Sequence, residues 1–112
     1  MGANFIAERP APKIDVQGPP DAPALEQRLQ EGAAALAREF PALLEVRIAA
    51  EELEPNASRK GPIQVRLALL FPRHQVHLGR AGASADATLR EALAAGRAAI
   101  ERLALRDPGV VS

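Results

Sequence analysis

Cysteine, tryptophan and tyrosine are all missing from the 112 residues of this chain, which carries three phenylalanines and two histidines. Without cysteine there is no disulfide, no thiolate zinc site and no thiol nucleophile, so a reducing compartment is the expected home. No apolar run approaches the roughly 20 residues that a membrane-spanning helix needs. Met1 to Pro20 has no basic segment followed by an apolar run, so no secretory signal is expected and the expected location is cytoplasmic. Net charge is lacking too: 14 Lys and Arg balance 14 Asp and Glu, which argues against holding nucleic acid by bulk charge.

What is present is an ordinary globular composition, 47% apolar and 25% charged, in a length that accommodates one core. The charges are unevenly spread. Residues 21–54 hold Asp21, Glu26, Glu31, Glu39, Glu45, Glu51, Glu52 and Glu54 against Arg28, Arg38 and Arg47, whereas residues 55–85 hold Arg59, Lys60, Arg66, Arg73 and Arg80 and no acid. An acidic stretch followed by a basic one implies either a polarised surface or pairing between the two.

Hydrophobic periodicity divides the chain into six elements. A mobile leader is expected over residues 1–12 and a tail over residues 108–112, with one domain between them at residues 13–107. Lys13 to Gln17 alternates as a short strand and Gly18-Pro19-Pro20 stops it. Asp21 is expected to cap a helix with Pro23 in its first turn, buried along Leu25, Leu29, Gly32, Leu36 and Phe40 and ended at Pro41. Leu44, Val46, Ile48 and Ala50 mark the apolar face of a second strand, and Ile63, Val65, Leu67 and Leu69 that of a third. Phe71-Pro72-Arg73 turns tightly into a fourth strand through Val76 and Leu78. A Gly/Ala-rich loop over residues 79–84 leads to Ser84 as the cap of a second helix, buried along Leu89, Leu93, Gly96, Ile100 and Leu103.

The expected fold class is therefore α+β, in the order β-α-β-β-β-α, with a four-stranded sheet and both helices on one face. A glycine in mid-helix costs about 1 kcal/mol relative to alanine. Gly32 and Gly96 are accordingly expected to mark a close approach of the two helices, the alternative being a close helix-on-sheet contact.

Catalytic machinery is not evident. His74 and His77 are three apart near a hairpin, unsuited to sharing a metal. Glu51, Glu52 and Glu54 read as a solvated strand end rather than an acid/base pair, and Gly79-Arg80-Ala81-Gly82 lacks the spacing and lysine of a phosphate loop. No catalytic residue, metal ligand or cofactor is expected. Binding chemistry has more support. The cations are nearly all arginine, whose planar fork suits phosphate. Arg59, Lys60, Arg66, Arg73, Arg80, Arg90 and Arg97 are the candidate RNA contacts. Arg90 and Arg97 share one helix flank, Arg102 and Arg106 the other, and Arg97 can instead pair with Glu101. No aromatic residue falls on the outward strand positions, so any RNA is expected to be met through backbone and shape rather than stacked bases.

The strand Ile14-Asp15-Val16-Gln17-Gly18, the strand Glu45-Val46-Arg47-Ile48, the strand Gln75-Val76-His77-Leu78 and the helix segments Ala85-Asp86-Ala87-Thr88-Leu89 and Ala98-Ala99-Ile100-Glu101-Arg102-Leu103 carry a resemblance across residues 13–106. In that pattern the chain resembles the family of ribosome hibernation-promoting factors and ribosome-associated inhibitors, and its element order is similar to double-stranded-RNA-binding domains with an extra leading strand. The resemblance implies a non-enzymatic factor that binds small-subunit rRNA and restrains translation under stress, with no membrane and no small-molecule substrate involved. It departs from the family pattern where the second helix ends on Arg102 and Arg106 rather than on a dense basic run. The reading outside this family is a protein-interaction or regulatory module on the same fold.

Overall fold

One-sided alternation in the strands and one apolar stripe on each helix leave a single way to bury both: helices on the apolar face of a sheet. The computed structural model, which describes residues 11–53 and 62–111, has that arrangement. Strand β1 (Lys13–Gln17) is followed by helix α1 (Pro23–Glu39), strands β2 (Glu45–Glu52), β3 (Ile63–Leu70) and β4 (Gln75–Gly82), helix α2 (Ala85–Arg106) and a 3-10 turn at Pro108–Val110. The sheet order is β1-β2-β3-β4, with β1 parallel to β2 and the other pairs antiparallel. Residues 1–10, 54–61 and 112 lie outside the described residues, and with them most of the expected leader and the loop bearing Arg59 and Lys60.

The registers place Ile14, Val46, Leu69 and Val76 in one inward row and Val16, Ile48, Leu67 and Leu78 in the next. Against these rows pack Leu25, Leu29, Ala33 and Leu36 of α1 and Leu89, Ala92, Ile100 and Leu103 of α2, all buried. Residues 108–112, expected as a tail, contribute Val110 to this core at 3% exposure. No helix of the described chain is long and apolar enough to cross a membrane.

Three local expectations are corrected and a fourth holds. Asp21 does not cap α1: the capping position is Ala22 and no side chain caps it. Asp21 instead belongs to a turn closed by Ala22 N–H donating to the Pro19 carbonyl, one position too early to reach the first free amides. Leu44 precedes β2 and is exposed, and Phe40 and Leu43 fill the core beside it. Arg80 lies in a strand and not in a loop, because Val65, Gln64 and Ile63 continue the ladder onto Arg80, Ala81 and Gly82, and those bonds outweigh the poor strand propensity of small residues. Ser84 does cap α2, its hydroxyl accepting from the Ala87 N–H at 3.3 Å.

The two glycines have different neighbours. A Cβ at Gly32 would come within 2.8 Å of Leu93 Cδ1, so here α1 meets α2. A Cβ at Gly96 would come within 2.8 Å of Leu67 Cδ2 and 3.5 Å of Leu69 Cδ1, so Gly96 sets α2 down on β3 and not against α1. The expected glycine-to-glycine approach is therefore replaced by one helix–helix and one helix–sheet contact. Leu93 is half-buried and has room to swing, whereas Leu67 is enclosed. Gly96→Ala should cost about 1–3 kcal/mol through overpacking. Gly32→Ala should stay within about 1 kcal/mol of the parent, since helix propensity offsets the crowding. Urea unfolding of both variants measures the difference.

The far end of α2 is tied to the β3–β4 hairpin. His74 Nε2 and Asp107 Oδ2 are 2.8 Å apart, and Asp107 Oδ1 accepts from the Gly109 N–H at 3.1 Å. The hydrogen bond from His74, helped by that from Gly109, holds the Asp107 carboxyl below its ordinary value. A lowered folded pKa means that the unfolded chain binds the proton first on acidification. The carboxylate's contribution is thus complete above about pH 4 and lost as pH falls through the lowered value. Asp107→Asn should be less stable at neutral pH and should show a shallower acid arm, read as urea midpoints taken from neutral pH down to about pH 2.

Candidate nucleic-acid interface

Five ion pairs among the described residues decide which arginines remain available. Arg28 bonds Asp86 and Arg97 bonds Glu39, each at 2.7 Å, and both pairs bridge α1 and α2. Arg97 thus takes a partner on the other helix instead of Glu101, its own helical neighbour. Arg66 donates to Glu51 at 2.6 Å across the β2–β3 ladder, and Arg47 bonds Glu45 at 2.7 Å. The hydrogen bond from Arg47 lowers the Glu45 pKa, and the same bond raises that of Arg47. His74 with Asp107 is the fifth. Three of the eight acids of the acidic stretch, Glu39, Glu45 and Glu51, are thus paired.

The candidate cations fall into three groups. Arg66 lies on the open face of the sheet and is paired. Arg97 faces α1, and Arg90, seven residues earlier, shares that flank and forms no ion pair among the described residues. Arg73 and Arg80 belong elsewhere. Arg80 occupies an inward register position opposite Val65 but sits beyond the core on the outermost strand, where it stays exposed. There it meets the second flank of α2: Leu78, Arg80, Ala95, Ala98, Ala99 and Arg102 line a concavity of about 240 Å³ between β4 and α2. Farther along the same seam Arg73, at the hairpin, and Arg106 border a second concavity with His74 and Asp107, of about 540 Å³. Arg73, Arg80, Arg102 and Arg106 form no ion pair among the described residues, while Asp107 is already engaged by His74. The remaining acid on this flank is Glu91, one turn before Ala95.

The seam is thus a row of exposed guanidiniums over an alanine floor. Arg102 and Arg106, absent from the seven candidates, belong to it, and Arg90, Arg97 and Arg66 do not. The signal that finds them is their spacing of four residues on the flank that also carries Ala95 and Ala99, narrow enough for β4 to approach. A row of arginines one helical turn apart suits successive phosphates, and backbone contacts of this kind position a nucleic acid without reading its sequence.

Strand β4 also has a free edge. Phe71 and His74 exchange both backbone hydrogen bonds, at 2.8 and 3.4 Å. Since bonded and non-bonded pairs alternate along an antiparallel ladder, Val76, Leu78 and Arg80 bond β3, and Gln75, His77, Gly79 and Ala81 turn their backbone groups outward. The Arg80 guanidinium donates to one of these, the Gly79 carbonyl, at 2.8 Å. Among the described residues no group of three or more His, Cys, Asp or Glu is arranged to hold a metal ion.

No family model matches the chain, and no curated protein sequence matches it. Solved structures do. A ribosomal subunit interface protein from Coxiella burnetii superposes with a TM-score of 0.64 at 11% identity, over 81% of this chain and 96% of that one. At this identity the likeness is one of fold: an α+β domain of order β-α-β-β-β-α with a four-stranded sheet and two helices.

Proposed function

We propose that this chain is a cytoplasmic, ribosome-associated factor that binds small-subunit rRNA and restrains translation in the manner of a hibernation factor, without a catalytic step or a cofactor. The observation that carries the reading is the seam between β4 and α2, where Arg73, Arg80, Arg102 and Arg106 line one edge of a formally neutral chain. Similarity of fold to a protein named for the ribosomal subunit interface supports the ribosome as the partner. Arg90 is an accessory contact from the other flank of α2, and Arg59 and Lys60 are proposed as further contacts. Arg66 and Arg97 contribute only if RNA displaces Glu51 and Glu39, two exposed pairs of the kind worth about 0.2–1 kcal/mol.

The protein-interaction reading needs an apolar surface to dock on. The exposed large apolar side chains among the described residues are Leu44, Leu105 and Val111, which stand on separate segments of the fold. That favours the charged seam as the working surface.

Co-sedimentation with purified small subunits across a salt series tests the proposal. Retention should fall steeply with salt, and the Arg80→Ala/Arg102→Ala double variant should bind more weakly with a log–log salt slope shallower by about 2, close to 1 per phosphate contact. Absence of retention at low salt would overturn it.

A further inference from the structure

The open face of the sheet holds a second concavity, different in chemistry from the seam. Two rows cross it: Asp15, Arg47, Ala68 and His77 in one, and Gln17, Ala49, Arg66 and Gly79 in the next. Arg47 is drawn along its strand toward Glu45, and Arg66 is drawn the opposite way toward Glu51, which pairs with Gln64. The two guanidiniums part and leave a trough of about 680 Å³ over the small side chains of Ala49 and Ala68. Its walls are cationic planes already neutralised by carboxylates, and Asp15 adds a carboxylate that forms no ion pair among the described residues. Its ends carry the amides of Gln17 and Gln64 and the His77 ring.

An amide-rimmed trough whose two cations are paired and whose lining includes the Asp15 carboxylate does not select phosphate. It fits a flat, uncharged group with hydrogen-bonding edges, and a guanidinium held in plane by a carboxylate offers such a group a stacking surface. An arginine plane thus takes the part that an aromatic side chain plays on other RNA-binding sheets. The trough and the seam meet at β4, since His77 and Leu78 border both. On the outward face of β4 the position between them is Gly79, where a Cβ would meet nothing closer than the Val65 carbonyl at 3.7 Å. The rim is therefore lowered to backbone height where a chain lying in the seam passes the sheet.

We infer that the sheet face is a nucleobase site: a single-stranded RNA whose phosphates follow the seam turns one unpaired base across Gly79 into the trough between Arg47 and Arg66. The inference rests on the rRNA reading above and adds to it that the target is single-stranded at the point of contact. A duplex can offer its phosphates to the seam, but it has no free base for the trough.

The test uses the full chain, a single-stranded RNA hexamer and a blunt duplex of the same sequence, with fluorescence anisotropy for affinity and amide chemical shifts for location. The single strand should shift the amides of Ala49, Ala68 and Gly79. Ala68→Leu, which fills the floor, and Gly79→Val, which raises the rim at a position with room for a side chain, should each weaken the single strand about tenfold and leave the duplex unchanged. Circular dichroism and urea unfolding establish that both variants fold. Arg80→Ala should weaken both RNAs. If both RNAs bind alike and neither trough variant matters, the base site is refuted and the phosphate seam stands. If neither RNA binds and small subunits are not retained, the ribosomal reading falls and this inference with it.

Discussion

The absent side chain at Gly96 governs more of this molecule than any side chain present. Because nothing stands between the helix backbone and Leu67 and Leu69, α2 rests directly on β3, and its roll about its own axis is set there. Everything else on α2 follows from that roll at 100° per residue. Leu93 turns to Gly32, Arg97 reaches Glu39, and Arg102 and Arg106 face β4. A side chain at this position would lift or turn the helix and redistribute its arginines between the α1 interface and the seam.

Net neutrality conceals a sorting of charge. Glu39, Glu45 and Glu51 meet arginines from α2, β2 and β3, Asp86 meets Arg28 of α1, and all of these pairs but Arg47–Glu45 join two elements. Exposed pairs of this kind add little stability individually, yet they withdraw specific cations from the surface. Four arginines without an ion pair among the described residues, Arg73, Arg80, Arg102 and Arg106, gather along β4 and the adjoining flank of α2. Local field, not total charge, is therefore the relevant electrostatic quantity for a polyanion.

Element order and the inward faces were legible in the sequence because alternation and helical spacing are local signals. Val46, Ile48, Val65, Leu67 and Leu69 fell on the predicted face, and Ser84 capped the predicted helix. Pair choice was not legible. Arg97 has Glu101 one turn away, and only the packing of α1 beside α2 decides for Glu39. Arg80 read as part of a loop because its neighbours are glycine and alanine, and the ladder from β3 overrode that local preference. The seam combines residues from the hairpin, β4 and α2, so no linear motif announces it.

Strand β4 is eight residues long, at the margin of the sheet, with alternate backbone groups unsatisfied by β3. Such a margin ordinarily invites another extended chain and is a route to aggregation. Here the Arg80 guanidinium sits on the helix side of that strand and occupies the Gly79 carbonyl. An incoming strand would have to displace this hydrogen bond and cover a charge with no carboxylate beside it among the described residues. One arginine thus guards part of this margin against cross-β growth, and under the proposed function the same side chain would serve both colloidal solubility and contact with a polyanion.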